Sequence, residues 1–199
     1  MKDKYRRMSE MGALPLTLVF LAAIILTFGN CKNKGNQSDA SAADTLTDDA
    51  LMDTVQRRTF LYFWEGAEPN SGLAPERYHV DGVYPQNDSN VVTSGGSGFG
   101  IMAILAGIDR GYVTREEGLA RMERIVSFLE KADRFHGAYP HWWYGDTGKV
   151  KPFGQKDNGG DLVETAFLIQ GLLAVHQYYA GGNPQEKALA ARIDKLWRE

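Results

Sequence analysis

The sequence predicts an all-α fold, either a barrel or toroid of paired helices or a simpler helical bundle. Three observations predict it. Five stretches after residue 46 carry helix start and periodicity signals. Apolar, small-residue helices alternate with amphipathic, charged ones, the order in which inner and outer helices follow one another in an α/α barrel. Two connections, 69–97 and 134–160, exceed the roughly 2–8 residues usual between bundle helices. The pattern favours the barrel, with long loops, without excluding the bundle.

The first helix is expected over 47–68. Thr47 is its N-cap, and Asp48 and Asp49 favour the positive end of the helix dipole. Leu51, Val55, Leu61, Tyr62 and Trp64 supply its apolar faces. A second helix follows Gly95-Gly96-Ser97-Gly98 and runs to about residue 110, with Ile101, Ile104, Leu105 and Ile108 at helical spacing. The glycine run lacks the Lys-Ser/Thr ending of a phosphate loop, so close packing at a helix start explains it better. Thr114 with Glu117 forms a capping box for the third helix, whose stripe is Leu119, Met122, Val126 and Leu129.

The fourth helix, 161–179, carries apolar residues on several faces and is expected to be buried on more than one side. Gly181-Gly182 stops it. Asn183-Pro184 starts the fifth, with Glu186, Lys187, Arg192 and Lys195 expected on its polar face. The helical pattern runs to the final residues, which predicts the N-terminal part of a longer domain.

Residues 1–31 read as a targeting segment to be left out of the fold. Lys2, Lys4, Arg6 and Arg7 precede an apolar run over 13–28, and Gly29-Asn30-Cys31 follows. This is the order of a bacterial lipoprotein signal, with Cys31 as the lipidated residue. An uncleaved membrane anchor is the alternative, although the run is short for a full span of about 20 residues. Either reading puts the rest outside the cytoplasm, in the periplasm or at the cell surface, attached to the membrane. Residues 32–46 are polar and aperiodic and read as a tether. The ordered domain is expected over 47–199.

Composition narrows the function. Net charge is −3 with no basic stripe, which argues against nucleic acid as a partner. Cys31 is the single cysteine, so no intrachain disulfide can form. The four histidines lack metal-ligand spacing, and neither a metal nor a cofactor is expected.

Two constellations could carry chemistry. Asp157, Asp161 and Glu164 lie at the start of the fourth helix, with Asp161 and Glu164 three apart and so on one face. Paired carboxyl groups of unequal proton affinity are what glycoside hydrolysis requires. The plainer alternative makes Asp161 a helix cap and Glu164 a dipole partner. The second constellation runs from His136 to Asp146 and centres on His141-Trp142-Trp143-Tyr144. Sugar C–H faces stack on aromatic planes, while polar neighbours meet hydroxyls. A tryptophan filling the core beneath the loop is the competing explanation.

Three stretches together resemble the glucoamylase-like family that includes bacterial endo-β-1,2-glucanases, glycoside hydrolase family 144. They are Ser71-Gly72-Leu73 through Gly98-Phe99-Gly100, His136-Gly137 through His141-Trp142 and Thr147-Gly148, and Asp157 through Thr165-Ala166 into Leu172-Leu173. The resemblance implies a partial (α/α)6 barrel, an extracytoplasmic β-glucan substrate, metal-free inverting hydrolysis, and a cleft holding Asp157, Asp161 and Glu164 as catalytic residues. Arg77 and Phe99 join His141, Trp142, Trp143 and Tyr144 as expected substrate contacts. A carbohydrate-binding lipoprotein without catalysis is the rival from another class. A polysaccharide lyase ranks lower, because the cleft loops hold few basic residues to meet a uronate.

Overall fold

The structure, a computed structural model, describes residues 46–199. The predicted signal, Cys31 and the tether up to residue 45 lie outside the described residues. Among the described residues there are five helices: α1 (Asp48–Trp64), α2 (Ser94–Asp109), α3 (Arg115–Leu129), α4 (Leu162–Tyr179) and α5 (Pro184–Arg198). Three short strands, β1 (Val91–Thr93), β2 (Trp142–Tyr144) and β3 (Val150–Lys151), form an antiparallel sheet in that order. The fold is therefore helix-rich rather than purely α. Strands of two or three residues are too short to show the alternation by which a sequence announces them.

The expected caps form. Thr114 Oγ1 accepts the Glu117 N–H at 3.1 Å, and Glu117 Oε2 accepts the Thr114 N–H at 2.8 Å. Asn183 and Glu186 close an equivalent box on α5. Glu186 departs from expectation, being 4% exposed. It reaches back to its own cap and pairs with Arg115, whose guanidinium lies 4.4 Å and 4.8 Å from the Tyr178 and Tyr179 ring centres.

Helix α1 ends at Trp64, earlier than its periodicity suggested. Arg121 satisfies that end, donating to the terminal carbonyls of Phe63 at 3.3 Å and Trp64 at 3.0 Å. Glu68, expected as the helix end, instead organises the next turn. Its carboxylate accepts from the backbone and side chains of Asn70 and Ser71.

Helix α2 starts at Ser94, so its glycines lie inside the helix. They allow α2 and α4 to touch backbone to backbone. A Cβ on Gly98 would sit 2.1 Å from the Phe167 carbonyl oxygen, and one on Gly171 would sit 2.5 Å from the Gly98 carbonyl oxygen. Gly95 faces Glu164 near one end of both helices while Gly98 faces Phe167 further along, so the two run parallel. The core forms around this pair, with Ile101, Ile104, Leu168, Leu172 and Val175 meeting Met122, Ile125, Leu189 and Ile193 of α3 and α5. Helix α1 closes the other side through Phe60.

Candidate active site at the start of helix α4

Residues from three separate stretches meet where β1 leads into α2, β2 passes, and α4 begins. Strand β1 pairs with β2, placing Thr93 opposite Trp142. The loop before β2 is tied to both helices. Ser94 donates its N–H to the His141 carbonyl at 3.1 Å and its hydroxyl to the Pro140 carbonyl at 2.7 Å. On the α4 side, Asp161 N–H donates to the Tyr139 carbonyl at 2.8 Å, and Tyr139 N–H donates to Thr165 Oγ1 at 2.8 Å. These bonds fix His141 beside the α4 N-terminus.

Asp161 is the N-cap of α4. Its Oδ1 accepts the N–H groups of Val163 and Glu164, each at 3.0 Å, and its Oδ2 lies 3.0 Å from His141 Nδ1. Burial works to raise the Asp161 pKa. The Glu164 N–H, the His141 ring and the Val163 N–H together outweigh it, leaving the carboxyl below its ordinary range.

Asp157 arrives on a tight turn, its N–H donating to the Gly154 carbonyl at 3.1 Å while its carbonyl accepts from Phe153 at 2.9 Å. One ligand atom from each of His141, Asp157 and Asp161 lies within 4.8 Å of the others. That spacing could take a cation, although the histidine spacing in the sequence gave no hint of one. Glu164 points from α4 to the start of α2, where Oε2 accepts from Gly95 N–H at 2.7 Å and Thr93 Oγ1 at 3.2 Å.

The aromatic wall only partly follows the sequence reading. His141 stacks on Phe153 at 4.3 Å and 26°, and Trp142 lies 4.7 Å from the same ring. Lys151 sits over Trp142 at 5.2 Å. Trp143 corrects the expectation of a substrate contact. It is 0% exposed, meets Tyr139 and Phe128 edge-on, and donates its indole N–H to the Asp133 carbonyl at 3.1 Å. Strand alternation explains the split, because neighbouring residues of β2 point to opposite faces. Tyr144 is half-buried and its carbonyl holds the 144–148 turn. Arg77 pairs with Glu76 and lies 4.0 Å from Asp88, within the 76–90 loop. Phe99 is 54% exposed and packs on Phe167 at 5.2 Å, one turn beyond Gly95 and Glu164 on the paired helices. Sequence reasoning missed Thr93, Gly95 and Phe153. An aromatic set between Pro152 and Gly154 in a loop was the one signal in the sequence.

Comparison with known proteins finds relatives that match over most of the chain. No family model matches the chain. Over 169 residues, 83% of the chain, it is 55% identical to an exo β-1,2-glucooligosaccharide sophorohydrolase of Parabacteroides distasonis. An endo-β-1,2-glucanase from Chitinophaga pinensis, solved with sophorotriose and glucose, is 74% identical over 76% of the chain with a TM-score of 0.76. A Bacteroides caccae protein described as a candidate glucoamylase is 94% identical over 77% of the chain, also with a TM-score of 0.76. The chain spans 22% of the curated relative's length, 36% of the Chitinophaga protein and 37% of the Bacteroides caccae protein. Over the part it spans, the chain is similar to proteins described as a sophorohydrolase, an endo-β-1,2-glucanase and a candidate glucoamylase.

Proposed function

We propose that the chain forms one wall of the catalytic cleft of an extracytoplasmic glycoside hydrolase that cuts β-glucan, with β-1,2-glucan as substrate. The observation that carries this reading is the meeting of His141, Asp157 and Asp161 beside Trp142 and Phe153 at the start of α4, with Glu164 one turn in. Aromatic planes and hydrogen-bonding carboxylates are what a sugar ring requires. The sophorotriose bound by the Chitinophaga relative supports the substrate class.

In this reading Asp161, held low by its donors and by His141, stays ionised and orients the imidazole. The proton donor is then another carboxyl, and an inverting pair would stand about 6.5–9.5 Å apart to admit water. Parallel α2 and α4 would be inner helices of an (α/α)6 barrel, and α1, α3 and α5 outer ones. Lipidation at Cys31 would hold the enzyme on the membrane at the periplasm or cell surface, and incorporation of labelled fatty acid that disappears in Cys31→Ser would support it.

The deciding experiment expresses the complete reading frame and incubates it with linear β-1,2-glucan beside its Glu164→Gln variant. Short oligosaccharides are expected from the parent and not from the variant. Binding without cleavage by the parent would replace this reading with that of a carbohydrate-binding lipoprotein.

A further inference from the structure

We propose that Thr93 is a positioning residue for Glu164. Its hydroxyl pins one carboxylate oxygen and so sets where the other stands in the cleft. The inference rests on the β-1,2-glucanase reading above.

Thr93 occupies the N-cap position of α2, with φ −107° and ψ 140°. A threonine there ordinarily uses its oxygen to accept a backbone N–H of the first turn. Thr93 makes no such bond. Its hydroxyl donates instead to Glu164 Oε2, 71 residues away in sequence. The Gly95 N–H that a local cap could have taken goes to the same oxygen. A capping residue has thus given up its local role, and a carboxylate from another helix fills it. Helix capping alone would not need this exchange, because Thr93 could do it unaided.

The donor is itself held in place. Thr93 N–H donates to the Ala74 carbonyl at 3.1 Å, its carbonyl accepts from Ser97 Oγ, and its strand pairs it with Trp142. Two donors on a rigid backbone therefore converge on Oε2. Glu164 Oε1 has no hydrogen-bond partner among the described residues and is left to meet a ligand hydroxyl. Pinning one oxygen of a flexible side chain in this way removes rotamer freedom before the ligand arrives, which is how preorganisation improves binding and rate.

The test compares Thr93→Val and Thr93→Ser with the parent, all from the complete reading frame, on linear β-1,2-gluco-oligosaccharides. Valine keeps the shape and removes the donor, so kcat/KM should fall about tenfold, the size of one hydrogen bond to a charged group. Serine restores the hydroxyl and should recover most of the loss. Should the valine variant unfold, Thr93→Ala carries the same expectation. A valine variant with the parent's kcat/KM overturns the inference, as does a serine variant as impaired as valine, since only a packing defect would affect both. A parent that neither binds nor cuts the oligosaccharide overturns the glucanase reading and this inference with it, whereas an active parent indifferent to Thr93→Val overturns the inference alone.

Discussion

Glu164 on α4 accepts the backbone N–H of Gly95 on α2 at 2.7 Å, so a side chain of one helix caps the start of its neighbour. The bond needs glycine. A Cβ at residue 95 would stand 2.5 Å from Glu164 Oε2. Gly95→Ala should therefore push the carboxylate out of place. The obstructing atom is the far end of a flexible side chain, and alanine raises helix propensity by up to about 1 kcal/mol, so the melting temperature should change little. Activity on β-1,2-gluco-oligosaccharides should fall at least tenfold. Matched melting curves and kcat/KM values check both halves.

Asp161 separates a helix-start role from a role in the site. Asparagine caps as well as aspartate, whereas alanine costs about 1 kcal/mol. Asp161→Asn keeps the cap, so its melting temperature should fall only by the lost charge contribution and less than that of Asp161→Ala, but it loses the anion facing His141, and with it most activity. Asp161→Ala should lose both. An asparagine variant with full activity would reduce Asp161 to a cap.

The same carboxylate predicts a pH dependence. Its pKa is lower folded than unfolded, so the unfolded chain binds the extra proton. Its contribution to stability is complete above the unfolded value of about 3.9 and is lost as pH falls through the lowered folded value. Glu117, Glu130, Asp133, Glu186 and Asp194 are also held low and will add to acid unfolding. The Asp161 share is the difference between parent and Asp161→Asn melting temperatures, which should narrow below about pH 4. A difference independent of pH would remove the charge from the argument.

Much of this was legible where the signal is local. Caps at Thr47, Thr114 and Asn183 are written in one or two residues and formed as read, and the cap that was the plainer alternative for Asp161 formed too. The burial of α4 followed only in part: Leu168, Leu172, Val175 and Tyr179 form one buried face, whereas Val163, Phe167 and Leu173, expected to bury further sides, are exposed. Features that depend on long-range approach were not legible. The glycines of α2 read as a preceding loop because nothing local shows that another backbone lies against Gly98. Thr93 and Glu164 are brought together only by the parallel packing of α2 and α4, which sequence spacing does not encode.

The cluster of His141, Asp157 and Asp161 gives a fourth prediction. Carboxylate and imidazole ligands at this spacing could hold a divalent ion, whereas carboxyl acid–base hydrolysis needs none. His141 and Asp161 already satisfy each other. Hydrolysis should therefore survive exhaustive treatment with EDTA unchanged. Loss of activity restored by an added divalent ion would put a metal at this trio.

Trp142 and Trp143 are adjacent in sequence and opposite in environment, which makes them a controlled pair. Trp143 lies against Tyr139 and Phe128 with its N–H on the Asp133 carbonyl. Trp143→Ala leaves a large cavity and an unpaired carbonyl, and should cost about 3–5 kcal/mol. Trp142 touches the exposed Phe153 and Lys151. Trp142→Ala should cost much less stability and weaken oligosaccharide binding instead. Chemical denaturation and titration calorimetry on both variants distinguish the roles. The same residue type one position apart then reports separately on the core and on the cleft, and equal stability losses would mean that Trp142 too is there for packing.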